Sequence, residues 1–124
     1  MVIEKGVSNH SGRVRFAIGG STSVGAIGPH GTLEIETIKL DDAISAGTVP
    51  APDVIKMDIE GEEYNALMGL RHTLKNHPPI ILLATHSERL KEQCLALLRE
   101  YRYHFTQVGD PREGEFLATT SPRL

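Results

Sequence analysis

Asp53-Val54-Ile55-Lys56-Met57-Asp58-Ile59-Glu60-Gly61 reads as a strand that ends in two carboxylates and a glycine. Val54, Ile55, Met57 and Ile59 fill nearly every position, the pattern of a strand covered on both faces. Asp58 and Glu60 stand two residues apart, so an extended backbone points them the same way. Gly61 allows a sharp turn. Tyr64, Leu67, Met68 and Leu74 then share one face of a helix, which His77-Pro78-Pro79 stops. Open α/β sheets bind ligands in the crevice at the carboxyl ends of their strands, where these two acids would lie.

Downstream, Ile80–Ala84 is a second buried strand. Thr85 or Ser87 can cap the next helix, with Glu88 favourable in its first turn. Leu90, Cys94, Leu97, Leu98 and Tyr101 recur at helical spacing through that element. Tyr103, Phe105 and Gln107 begin an alternating strand, Gly109-Asp110-Pro111 turns the chain, and Glu115–Thr119 returns as a hairpin partner. The centre is therefore strand–helix–strand–helix, which calls for a parallel crossover.

Upstream, Val14, Phe16 and Ile18 alternate with Arg13, Arg15 and Ala17, as in a half-buried strand. The glycines and Pro29 within residues 19–32 predict an irregular loop. Leu33-Glu34-Ile35-Glu36 alternates again. Asp41 or Asp42 is placed to cap a short helix ending near Gly47. The ends of the chain thus read as antiparallel.

The whole chain of 124 residues fits one domain with a real core. A net charge of −3 gives no electrostatic footprint for nucleic acid. The longest apolar run, Ile80–Ala84, is too short to span a bilayer, and the first residues lack a signal-peptide core. The single cysteine, Cys94, excludes an intrachain disulfide and a cysteine-only zinc site. A reducing cytoplasm is the default expectation.

VIKMDIEGEEYNALMGL (residues 54–70) resembles the signature of the FkbM-type methyltransferases, which use S-adenosylmethionine. TIKLDDAI upstream, PPIILLATH, Cys94 with Tyr101-Arg102-Tyr103, and GEFLAT resemble further parts of that family in the right order. VSNHSGRVRF and STSVGAIGPHG resemble its middle region. The resemblance implies a Rossmann-like class I methyltransferase fold, α/β in class. Val14–Ile18 would be the third strand of its sheet and the Asp58 strand the fourth. It also implies transfer of a methyl group to a hydroxyl of a sugar or another small metabolite. Methyltransferases of this fold hold the cofactor with a glycine-rich loop after the first strand and an acid after the second. No strand–GxGxG–helix unit occurs here. The expectation is an incomplete domain, its cofactor-binding N-terminal half absent, with parallel central strands and an antiparallel C-terminal hairpin. Such a chain would be inactive alone. It would have a free sheet edge where the other half belongs, or would self-associate through it. Many relatives carry a glutamate before the histidine, where this chain has Ala84-Thr85.

On this reading Asp58 and Glu60 take the acceptor's hydroxyl proton or hold a hard cation such as Mg²⁺. The plainer alternative is that either acid caps the next helix. His86 follows the second buried strand and belongs at the same edge, as base, metal ligand or substrate contact, or as an ordinary loop histidine. Ser21, Thr22 and Ser23 would contact the cofactor, although hydroxyl residues beside glycine are also plain loop composition. Lys56, in a buried strand, would need its charge paired. Glu62 and Glu63 simply favour a helix start. Cys94 reads as core. Two rivals stay open: a non-catalytic α/β binding module or degenerate relative, and a hydrolase with a hard metal at Asp58, Glu60 and His86.

Overall fold

The computed structural model describes residues 1–18, 25–27 and 33–121. In chain order its elements are β1 (Gly6–Val7), β2 (Gly12–Ile18), β3 (Gly25–Ile27), β4 (Leu33–Ile38), α1 (Leu40–Ser45), β5 (Val54–Met57), α2 (Glu63–Met68), α3 (Arg71–Asn76), β6 (Ile80–Ala84), α4 (Glu88–Glu100), β7 (His104–Val108) and β8 (Glu115–Thr119). The strands form two sheets of four, ordered β1-β4-β2-β3 and β5-β6-β8-β7.

The strand of the opening stretch, β5, lies parallel to β6, with Val54 opposite Ile80 and Met57 opposite Leu83. Helices α2 and α3 make the crossover between them. Strands β7 and β8 form the expected antiparallel hairpin, and β8 joins the far side of β6. One apolar cluster holds this half together. Met57, Ile81, Leu83 and Ala118 from the sheet meet Leu67, Leu74, Leu90, Cys94 and Leu98 from the helices and Leu70 from the link between α2 and α3. Tyr103 is buried with them, and its hydroxyl donates to the Pro79 carbonyl at 2.6 Å.

Four features differ from the sequence expectation. First, β5 is covered on one face only. Met57 faces the helices and is buried, while Val54 on the other face is 63% exposed, as is its neighbour Ile80 on β6 at 44%. Lys56 is on the open side and exposed, so its charge is solvated and needs no partner. Second, the helix expected to run to His77 is two helices with a break at Gly69 and Leu70. The cause is non-local: a Cβ on Gly69 would lie 2.4 Å from the Ser8 carbonyl oxygen, so only glycine fits.

Third, Asp41 caps a different helix from the one it belongs to. Its carboxylate accepts from the amides of His72 at 2.7 Å and Thr73 at 3.1 Å, and from the Thr73 hydroxyl at 2.7 Å. These bonds satisfy the start of α3, while α1 begins after Lys39 with no side-chain cap. Fourth, β2 lies in a sheet separate from that of β5, antiparallel to β3 and β4. The short strand β3 falls within the stretch expected to be irregular. A backbone bond joins the halves, from the Asp41 N–H to the Gly69 carbonyl at 3.0 Å. Among the described residues no helix is long and apolar enough to cross a membrane.

Candidate active site

Because β5 and β6 are parallel and in register, the residues after Met57 and after Ala84 emerge at one edge. Asp58 follows β5, and His86 follows β6. His86 Nε2–H donates to Asp58 Oδ1 at 2.8 Å. Glu60 joins them: one ligand atom from each of Asp58, Glu60 and His86 lies within 4.8 Å of the others. All three side chains face solvent. The structure thus brings together the three catalytic candidates read from the sequence. Ser21, Thr22 and Ser23, the cofactor-contact candidates, lie outside the described residues.

Local geometry explains the convergence. Glu60 has φ of +55° and Gly61 of +105°, so the chain reverses tightly after β5. On the β6 side, Thr85 is buried and pinned to the hairpin. Both its amide, at 3.0 Å, and its hydroxyl, at 2.9 Å, donate to the Gly114 carbonyl. Gly114 packs so closely on Thr85 that an added Cβ would meet its carbonyl oxygen at 2.8 Å. Ser87 then caps α4, accepting from the Leu90 amide at 3.1 Å. His86 is therefore held between a pinned residue and a capped helix.

The helix-cap alternative for Asp58 and Glu60 finds no support in the hydrogen bonds, since neither carboxylate takes an α2 amide. Glu63, expected only to favour the helix start, instead binds amides of the turn before α2, and α2 itself has no side-chain cap. Glu63 is fully buried. Its Oε1 accepts from the Ile59 amide at 2.8 Å and its Oε2 from the Gly61 amide at 3.0 Å. Oε1 is also 3.5 Å from His86 Nε2. A legible signal existed: a glutamate just after a turn can reach back to upstream amides, as in a capping box.

Cys94 is core, as its spacing implied. Burial, with the negative charge of Glu63 behind it, pushes its thiol up to about 12, so it is no nucleophile at neutral pH. The open space beside His86 divides in two. One groove of about 170 Å³ includes Ser87, Lys91, Gln107 and Arg112. A shallower depression of about 360 Å³ includes Gly61, Arg89 and Gln93. A cavity of about 470 Å³ at the opposite end of the strands, beside Pro78 and Thr120, lies away from the acids and His86.

The arrangement is an α/β domain with an acid–imidazole cluster at the carboxyl ends of parallel strands. Residues 2–105 match the methyltransferase FkbM domain, and the chain belongs to that family. The hexuronic acid methyltransferase AglP of Haloferax volcanii is 34% identical over 76 residues, which are 57% of this chain and 30% of that protein. The chain thus spans under a third of the length of that relative. No solved structure matches the chain.

Proposed function

We propose that this chain forms the acceptor side of an S-adenosylmethionine-dependent methyltransferase with a Rossmann-like class I fold, acting on an oxygen of a sugar or similar small metabolite. The observation that carries the reading is the His86–Asp58 bond at the carboxyl edge of β5 and β6, in a chain of this family. The relative named for hexuronic acid supports a sugar acceptor. The donor supplies a methyl group on positive sulfur, already electrophilic. What the acceptor needs from the protein is alignment and a place for its proton. Asp58 accepts from the imidazole at Nε2–H, which leaves Nδ1 as the nitrogen that can take a proton from an acceptor hydroxyl. Glu60 lies beside them and adds negative potential for the departing proton.

The described residues do not by themselves cradle a nucleotide: the spaces at His86 are open grooves with no glycine-rich loop. We therefore place the donor's binding residues outside those described. Two observations support this: the short coverage of the relative, and the fact that among the described strands β5 is paired only on its β6 side. That edge would take the remaining strands of the domain or a second copy of the chain. A second reading adds a cation. Asp58, Glu60 and His86 fit a divalent ion by donor type and spacing, and such an ion would lower the pKa of an acceptor hydroxyl.

Asp58→Asn is the direct test. It keeps the shape of the side chain and removes the charge that orients and stabilises His86. Turnover should fall by at least about 100-fold, the lower range of general-base effects, with S-adenosylmethionine affinity unchanged by calorimetry. Surviving activity would rule Asp58 out of the chemistry. Titration of the 124-residue chain with S-adenosylmethionine tests the division of the site. Micromolar binding would show that the donor's residues are present after all.

A further inference from the structure

The geometry points to Glu63 as the positioning residue of this site: its buried carboxylate clamps the turn that presents Asp58 and Glu60 and stands against His86. What the site does rests on the methyl-transfer reading above. The clamp itself rests only on the geometry of the turn.

Glu60 adopts a left-handed backbone conformation, which costs a residue with a Cβ roughly 1–2 kcal/mol. A turn of that kind persists only where its surroundings over-determine it. The amides on either side of Glu60 are those that Glu63 binds, Ile59 at 2.8 Å and Gly61 at 3.0 Å. Both bonds are charge-assisted, and one carboxylate makes both, so the spacing of its oxygens sets the shape of the turn. The same Oε1 faces His86 Nε2 at 3.5 Å. Glu63 therefore touches the β5 side and the β6 side of the site at once.

The contrast in burial sets its role apart. Asp58 and His86 are open to an acceptor, with side chains 47% and 38% exposed, whereas the Glu63 side chain has no exposure. It cannot meet substrate from where it lies, so it acts through the residues it holds. A carboxylate this deep needs partners for its charge, and the two backbone amides are those partners.

The test uses the complete protein and Glu63→Gln. The amide side chain is the same size, but its nitrogen cannot accept a bond, so one of the two backbone contacts is lost. In the wild type, hydrogen exchange should show the Ile59 and Gly61 amides protected although the turn is at the surface. In the variant that protection should drop by about tenfold or more, and the His86 ring signals in the NMR spectrum should move. With glucuronic acid as the acceptor probe, kcat should fall by about 10- to 100-fold while KM for S-adenosylmethionine changes by less than about twofold. A residue that only stabilises the fold would lower active protein without that split.

Freely exchanging amides in the wild type would overturn the proposal, and so would a folded variant with unchanged His86 signals and kcat. If Glu63→Gln fails to fold, the wild-type exchange measurement decides alone. If the wild-type protein transfers no methyl group to the probe, the acceptor reading fails. The exchange and ring signals then decide the clamp independently.

Discussion

The two sheets of this protein are held by different forces. The sheet β5-β6-β8-β7 carries one face of apolar side chains against α2, α3 and α4. The sheet β1-β4-β2-β3 carries almost none. Of its described residues only Val7 packs against the core, and Leu33 is 46% exposed. It is held instead by backbone ladders and surface ion pairs, among them Arg13 with Glu34 at 2.9 Å and Lys5 with Glu36 at 3.3 Å. The candidate site sits wholly on the first sheet. Chemistry that needs groups fixed to a fraction of an ångström is built on the half with a packed core, while the second sheet hangs from it by a few specific bonds.

The largest expected effect breaks the core half. Leu83 is fully buried on β6, two residues before the pinned Thr85. Leu83→Ala should cost about 2–5 kcal/mol in chemical denaturation, from lost burial and the cavity left behind. Ile35 on β4 is only half-buried, and Ile35→Ala should cost about 1 kcal/mol. Equal losses would mean that both sheets share one core.

How much of this contrast the sequence shows depends on how local each cause is. Strands β5 and β6 are legible because Val54–Met57 and Ile80–Ala84 are dense apolar runs, and Ser87 is legible as a cap because it immediately precedes its helix. The convergence of Asp58, Glu60 and His86 follows from two parallel strands ending together, and that too could be read. The single-sided cover of β5 could not, because apolar Val54 and Ile80 stand on the open face, so the run shows no alternation. The break at Gly69 was hidden because Leu67, Met68 and Leu74 keep helical spacing across it, and its cause, the Ser8 carbonyl, is far away in sequence. The reach of Glu63 back to the turn had a signal, but its burial was hidden for a related reason. A glutamate at a helix start has the same letters whether it is solvated or fully buried beneath the turn before it.

A middle-sized effect concerns the joint between the halves. Asp41 sits just after the second sheet and caps α3 of the first through three bonds to His72 and Thr73. Asp41→Ala should cost about 0.5–2 kcal/mol, the usual range for a lost cap. Thr73 is buried, so its hydroxyl would lose a partner without gaining water. Among the described residues, the Asp42 side chain on the same helix meets only the exposed Ser11 hydroxyl, at 2.7 Å. Asp42→Ala should therefore leave the denaturation midpoint close to that of the wild type. A reversed order would show that α1 is held by its tie to Ser11 and not by the cross-link to α3.

The smallest effect tests the outer sheet itself. Arg13 on β2 reaches Glu34 and, at 3.8 Å, Glu36, both on β4, and these acids raise the pKa of its guanidinium, chiefly through the Glu34 bond. All three side chains are at least half exposed, so water and salt screen the attraction and ordering the long side chains offsets much of it. Arg13→Ala should leave the global denaturation midpoint unchanged at about 0.15 M salt, near the physiological value where surface charges beyond a short range are screened. It should instead raise hydrogen exchange in the β2 amides, and less so as salt is added, because the wild-type pair is itself weakened. This pattern is what separate stabilities in the two sheets require: the outer ladder opens while the core around Leu83 does not respond. If Arg13→Ala lowers the midpoint as much as Asp41→Ala, the ion pairs are coupled to the core, and the outer sheet is part of the scaffold that holds Asp58 and His86.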